Sequence, residues 1–257
     1  MISNTVHGYF AQVLLPANQK LWQGLAFHAG YLNAAGFLAC HRFVSHMTGF
    51  GSQVGLNIGA NEYLFAFEMV LAPVFFMVGA TYAGVLVDRR MVKNSSPRLI
   101  QGISVILLIN ILILVFGKMG LFGYFGEPLT NQRDFVLLFL LTFCCGLQNG
   151  LFVSITSGLI RTTHITGLCT DIGLNIVRLF TLPEGETKAK EAQKNWLRLK
   201  TIIAFSVGSG VSALIFSKFG YLGFLGSVFF SFGLLLYTKY LMVMNVSVLK
   251  NPVEVRT

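Results

Sequence analysis

Long apolar stretches alternate with short polar segments along this chain. Six of them have about the 20 mostly apolar residues that an α-helix needs to cross the hydrocarbon core of a bilayer. They lie near residues 23–43, 63–87, 98–117, 135–160, 200–217 and 221–243. The pattern predicts an all-α integral membrane protein with six transmembrane helices.

The composition supports the same class of protein. Charged residues make up 11% of the 257 residues, hydrophobic residues make up 54%, and the mean hydropathy is +0.68. An ordinary soluble domain has about 25% charged residues. So few charges could not cover a water-exposed surface, which argues against a soluble enzyme, a nucleic-acid-binding domain or a disordered protein.

The positive charges indicate the orientation in the membrane. The net charge is +9, and the basic residues concentrate in the loops at 88–98 and 181–200. If both termini are cytoplasmic, fifteen of the nineteen Lys and Arg residues lie inside. This agrees with the positive-inside rule. The lipid bilayer therefore explains the positive charge without a nucleic-acid partner. We expect a multi-pass protein of the bacterial inner membrane with a cytoplasmic loop at 181–200, in which residues 184–200 form either a helix lying against anionic headgroups or a solvated linker.

Two polar segments, 46–60 and 164–180, are too short to span comfortably, and they resemble each other. Residues 45–59 read SHMTGFGSQVGLNIG and residues 163–177 read THITGLCTDIGLNIV, with seven identities in fifteen positions. Upstream, Gly30-Tyr31-Leu32-Asn33 aligns with Gly146-Leu147-Gln148-Asn149. A fainter match pairs Phe76 and Gly79 with Phe205 and Gly208. The chain thus contains an internal repeat.

The repeat predicts a specific membrane topology. A single membrane domain over 1–257 would contain repeat 1 at about 22–117 and repeat 2 at about 134–243. Each copy has three spans, so the second copy crosses the membrane in the opposite sense. Inverted repeats with interrupted helices are common in secondary transporters, which bind substrate where the halves meet. We expect each His-x-Thr-Gly motif to form a broken or re-entrant segment, or else to cap a helix lying at the membrane surface.

The motifs also resemble those of a known family. GYLNAAGFLACHRFVSHMTG, GLQN and TTHITGLCTDIGLNIVR are similar to motifs of the YoaK family, multi-pass bacterial membrane proteins of uncharacterised function. The first motif of that family reads roughly Gly-Tyr-Val-Asp-Ala followed by Ser-His-Met-Thr-Gly-Asn. Matching positions are Gly30, Ala34, Ser45, His46, Met47, Thr48 and Gly49, then Gly146, Gln148, Asn149, Thr162, Thr163, Thr166, Gly167 and Asp171.

Two positions depart from the family pattern. Asn33 stands where an Asp is usual, and Phe50 stands where an Asn is usual. Both changes make the first half less polar, so a role that needs a carboxylate at position 33 is in doubt. The resemblance implies the family and no particular activity.

The candidate substrate- or ion-binding residues are the polar and glycine positions of the repeat. They are Asn33, His46, Thr48, Gly49, Asn57, Gln148, Asn149, His164, Thr166, Gly167, Asp171 and Asn175. Ionisable groups inside a membrane are costly and therefore candidates for function. Glu68, Asp171, His46 and His164 are accordingly candidates for proton coupling. Helix-fixing hydrogen bonds are the alternative role for each, and we predict no metal and no cofactor.

Three functions fit these patterns. The inverted repeat favours a secondary transporter or channel for a small-molecule or ion substrate, which is not an enzyme. A membrane enzyme acting on a lipid-borne substrate, with histidine and Asp171 as acid and base, is the first alternative. A non-catalytic membrane scaffold or assembly factor is the second.

Overall fold

The computed structural model describes residues 14–129, 132–156, 158 and 161–250, and the side chains of these residues except 132–134 and 245–250. The described elements are all helical. They are α1 (Pro16–Cys40), α2 (Met47–Gly59), α3 (Tyr63–Leu86), α4 (Asp88–Val92), α5 (Leu99–Lys118), α6 (Gln132–Ile155), α7 (Ile165–Thr181), α8 (Glu186–Phe219), a 3-10 turn (Gly220–Gly223) and α9 (Phe224–Lys250).

Four helical stretches of the described chain are long and apolar enough to cross a membrane. They are Tyr63–Val92, Leu99–Lys118, Phe135–Ile155 and Glu186–Met244. The last stretch has 59 residues and contains α8 and the part of α9 up to Met244, which the turn at Gly220 (φ +52°) separates. A membrane protein is consistent with these lengths, because about 20 helical residues cross the hydrocarbon core.

The buried side chains form two clusters at opposite ends of the helix bundle. We call them the Trp22 cluster and the Tyr31 cluster. The Trp22 cluster contains Leu21, Trp22, Leu25, Ala83, Leu86, Leu99, Leu151, Phe152, Leu197, Leu234 and Leu241 among others. The Tyr31 cluster contains Tyr31, Leu32, Ala35, Met69, Ile113, Leu138, Leu141, Phe216 and Phe224 among others.

The six long helices alternate in direction between these clusters. Helices α1, α5 and α8 run from the Trp22 cluster to the Tyr31 cluster, and α3, α6 and α9 run back. The start of α1 and the later part of α9 therefore meet at one end, where the Tyr237 hydroxyl donates to the Ala17 carbonyl at 3.0 Å. The basic segments 88–98 and 186–200 begin or end at that same end.

Four glycines allow two pairs of helices to approach until their backbones touch. A Cβ on Gly30 of α1 would lie 2.0 Å from the Phe205 carbonyl oxygen of α8, and one on Gly208 would lie 2.1 Å from the Phe27 oxygen. Helices α3 and α6 make the corresponding contacts. There a Cβ on Gly146 would lie 2.0 Å from the Phe76 oxygen, and one on Gly79 would lie 2.2 Å from the Phe143 oxygen.

Two helix boundaries differ from the expectation from hydropathy. The first helix begins at Pro16 and ends at Cys40, because His41 adopts a left-handed conformation (φ 53°) that stops it. The polar segment 181–200 is mostly helical, which is one of its two expected forms, and α8 therefore begins at Glu186, well before the apolar stretch, and runs for 34 residues.

Alternating charges explain why this polar segment is helical. Lys188 pairs with Glu184 at 2.5 Å, Lys190 pairs with Glu186, and Lys194 pairs with Glu191 at 2.6 Å. Ion pairs spaced three or four residues apart on a helix surface favour the helical conformation. The hydrogen bond from Lys194 lowers the pKa of the Glu191 carboxyl below its ordinary value.

We expect Gly30→Ala to destabilise the protein, because the added methyl would overlap a backbone atom that no side-chain rotation can move. Overpacking of this kind typically costs about 1–3 kcal/mol. The measurement is the free energy of unfolding in detergent. Gly55→Ala is the matched control, since nothing lies within 4 Å of a Cβ there. An equal loss of stability in both variants would contradict the close crossing.

Candidate functional site

The two His-x-Thr-Gly motifs line a single cavity of about 390 Å³. Each motif contributes the residues that precede and begin a short helix, α2 in the first half and α7 in the second. The lining residues are Asn33, Phe43, Ser45, His46, Met47, Thr48, Thr163, His164, Ile165, Thr166 and Phe205. The structure thus brings together segments that lie 118 positions apart in the sequence.

A pair of hydrogen bonds holds the first motif against α1. After α1 ends, the chain turns back, and Asn33 Oδ1 accepts from the Ser45 backbone N–H at 3.0 Å and from the Ser45 hydroxyl at 2.9 Å. Both residues are more than nine-tenths buried. Asn33, a predicted site residue, therefore lines the cavity and also fixes the position from which α2 begins.

The equivalent groups of the second half are not bonded to each other. By the repeat, Asn149 corresponds to Asn33 and Thr163 corresponds to Ser45. Asn149 Oδ1 and Thr163 Oγ1 are both buried atoms without a hydrogen-bond partner. Thr163 is only 7% exposed and lines the cavity. Buried polar atoms without partners are rare, and each one calls for an explanation.

The cavity has a positive electrostatic character. Helices α2 and α7 begin at its wall, neither has a side-chain cap, and neither has an acidic residue in its first turn. The first N–H groups of a helix have no partner within the helix and carry its positive dipole end. The Arg161 guanidinium lies beside Gly167 in the second motif. The described lining residues include no Asp or Glu.

A second, smaller cavity of about 200 Å³ adjoins the first. It is lined by Phe37, His41, Arg42, Phe43, His46, Gly49, Phe50 and Gln53. Phe43 and His46 line both cavities, so His46 lies between them. Arg42 adds a guanidinium whose Nε is buried without a partner.

Two residues that are identical in both repeats lie outside both cavities. Asn175 is 1% exposed and donates to the Glu191 carbonyl at 3.0 Å and to Asn195 Oδ1 at 3.1 Å, which fixes α7 on α8. Its counterpart Asn57 is half-buried near the end of α2.

The predicted carboxylates also lie away from the cavity linings. Asp171 faces the Arg198 guanidinium at 3.6 Å with about half of its side chain exposed. Glu68 is buried within α3. The structure therefore does not bring Glu68 or Asp171 together with His46 and His164. Among the described residues, no three His, Cys, Asp or Glu side chains cluster closely enough to hold a metal ion.

A buried polar network crosses the centre of the bundle. His28 Nδ1 lies 2.7 Å from Gln148 Oε1, and Gln148 Nε2 donates to the Leu25 carbonyl at 2.9 Å. On the other side of the ring, His28 Nε2 lies 3.1 Å from the Ser231 hydroxyl, which accepts from Asn110 at 2.8 Å. The predicted site residue Gln148 is therefore committed to holding α1 against α6.

Several residues of the site were not among the candidate binding residues identified from sequence. Phe43, Ser45, Met47, Thr163, Ile165 and Phe205 line the larger cavity, and Asn110 and Ser231 complete the central network. Ser45 and Thr163 directly precede the two motif histidines, so a repeat alignment that scored hydroxyl residues as equivalent would have found them.

These features define a class: an all-helical protein with helices apolar enough to span a membrane and a cavity lined by the two matching His-x-Thr-Gly motifs. Residues 21–238 match the family described as protein of unknown function (DUF1275). The match covers most of the chain, which therefore belongs to this family. No curated protein and no solved structure matches the chain.

Replacing Gln148 with leucine should destabilise the fold, because it leaves the buried His28 Nδ1 without its partner and removes the bond to the Leu25 carbonyl. A buried polar group left unsatisfied costs about 1–3 kcal/mol. Denaturant unfolding in detergent measures the loss. Gln101→Leu on the exposed face of α5 serves as the control, and we expect a change within about 0.5 kcal/mol there. Equal stability of the two variants would show that the network contributes nothing.

Proposed function

We propose that this protein is a secondary transporter or channel for a small solute and that the larger cavity is its binding site. The observation that carries the proposal is the meeting of both His-x-Thr-Gly motifs at one cavity. Non-helical backbone at membrane depth is tolerated only where it is buried in protein or lines a water-filled space. Two such breaks at one cavity are expected of a translocation site.

The proposed topology has six spans, with both termini in the cytoplasm of a bacterial cell. The alternating directions of α1, α3, α5, α6, α8 and α9 support it, as does the position of the basic segments at the Trp22-cluster end. That end would face the cytoplasm by the positive-inside rule. The YoaK-like motifs fit the same multi-pass arrangement.

An inverted repeat is part of the proposal, and the helix contacts support it. Exchange of the two halves converts α1 into α6, α3 into α8 and α5 into α9. The contact between α1 and α8 therefore corresponds to the contact between α6 and α3. The glycines correspond in the same way, because Gly30 and Gly208 of the first contact match Gly146 and Gly79 of the second. Helix α1 runs oppositely to α6 between the two clusters, as inversion requires.

The enzyme hypothesis receives less support. Acid–base chemistry would need His46 or His164 to face Asp171, whereas Asp171 lies beside Arg198. We therefore propose a protein that is not an enzyme.

Reporter fusions test the topology. A reporter fused after residue 95 and another fused after residue 190 should both report the cytoplasm, because these basic segments are expected inside. A fusion after residue 120, in the connection between α5 and α6, should report the opposite side. A periplasmic signal at 95 or 190 would contradict the inverted arrangement.

Liposomes containing the purified protein test the transport function. We expect faster entry of at least one small solute than into empty liposomes, measured by stopped-flow light scattering. The solutes would be urea, glycerol, and the potassium salts of chloride and formate with valinomycin present. Thr166→Val should slow that entry, because Thr166 lines the cavity.

Thr170→Val provides the matched control for this flux. Thr170 lies one turn further along α7, outside the described lining, and its hydroxyl donates to the Thr166 carbonyl at 3.1 Å. Entry no faster than into empty liposomes, or a rate that Thr166→Val leaves unchanged, would favour a scaffold and contradict the proposed site.

A further inference from the structure

We propose that the solute of the larger cavity is a small organic monoanion, a carboxylate in the first instance, bound between the N-terminal ends of α2 and α7. This inference rests on the proposed function, because it names the chemical class that the translocation site would accept. Four observations on the cavity lead to it.

The first observation is the fixed positive charge. Helices α2 and α7 have 13 and 17 residues, and both begin at the cavity without a side-chain cap. A helix N-terminus is equivalent to roughly half of an elementary positive charge. Two such ends together present about one positive charge, which a single negative charge on the solute would neutralise.

The second observation is that the protein supplies no counter-charge. The described linings of the two adjoining cavities contain no Asp or Glu. Arg161 beside Gly167 and Arg42 in the smaller cavity add further positive charge. A cationic solute would be repelled by this arrangement, and a neutral solute would leave the helix ends unneutralised in a low-dielectric setting.

The third observation is a hydroxyl group that lacks an acceptor. Thr163 is 7% exposed, lines the cavity, and has no hydrogen-bond partner for Oγ1. Its repeat equivalent Ser45 donates to Asn33 instead. A buried hydroxyl without a partner costs free energy. Since Thr163 lines the cavity while its Oγ1 is buried in the wall, a rotation about χ1 would turn the hydroxyl toward a carboxylate oxygen in the cavity. Hydrogen bonds to charged acceptors are roughly twice as strong as bonds to neutral ones.

The fourth observation is that the cavity has apolar walls and room for an apolar part of the ligand. Phe43, Met47, Ile165 and Phe205 supply apolar walls, and the volume of about 390 Å³ exceeds the need of a simple halide. Binding sites for small organic molecules combine apolar walls with a few placed polar groups. A carboxylate with a short aliphatic or aromatic body uses both kinds of wall.

Matched pairs of acids and amides test the charge requirement. The full-length protein in detergent would be titrated with formate, acetate, butyrate and benzoate, and with formamide, acetamide, butyramide and benzamide. Isothermal titration calorimetry and the shift in unfolding temperature measure binding. We expect at least one acid to bind about tenfold or more tightly than its amide, because only the acid neutralises the helix ends.

The Thr163→Val variant tests the position of the anion. Because the Thr163 hydroxyl has no partner, its removal should leave the unfolding temperature of the ligand-free protein unchanged or raise it. The same change should weaken binding of the best carboxylate by about five- to tenfold. Ser45→Ala should do the reverse, lowering the unfolding temperature by breaking its bond to Asn33 while changing binding less.

The outcomes separate this inference from the proposed function. Amides that bind as tightly as their acids, or no binding by any of the four acids, would overturn the anion inference even if Thr166→Val slows solute entry. Unchanged acid binding in Thr163→Val would overturn it as well. Tight carboxylate binding without movement into liposomes would support the anion site and contradict transport.

Discussion

The contact of helix backbones at four glycines is the constraint on which the rest of this structure depends. Gly30, Gly79, Gly146 and Gly208 each face a carbonyl oxygen at a distance that leaves no room for a Cβ. Every contact joins a helix of the first half to a helix of the second. Neither half of the chain therefore packs by itself, and the halves are interleaved.

These crossings also place the walls of the cavity. The Phe205 carbonyl lies against Gly30, and Phe205 lines the cavity. In the other pair, the Phe76 carbonyl lies against Gly146, while the Phe76 ring contacts the His164 ring at 6.4 Å between centroids. A bulkier residue at either glycine would move the wall as well as the helix, so packing and site are set by the same contacts.

Hydropathy and the internal repeat predict much of the helix pattern and the two motifs that form the cavity. For 186–200 the sequence leaves a helix and a solvated linker equally open, because the support for the helix comes from ion pairs and not from apolar spacing. Repeat identity alone does not indicate whether a residue lines a cavity, since a residue can also recur because it fixes a helix, as Asn175 does on α8. The central network joins residues up to 203 positions apart, a pairing that no local pattern reveals.

The two sides of the cavity differ in the hydrogen bonding of equivalent residues. In the first half, Asn33 is bonded to Ser45, whereas the matching groups of Asn149 and Thr163 have no partners. Both halves have an asparagine and a hydroxyl residue at these positions, so either half could form this hydrogen bond. In a second conformation, Asn149 and Thr163 would be bonded and the bond between Asn33 and Ser45 would be broken. This conformation and the present one would be related by exchange of the repeats. Under the proposed transport function, one hydrogen bond formed alternately in each half would give the inward-facing and outward-facing states nearly the same energy.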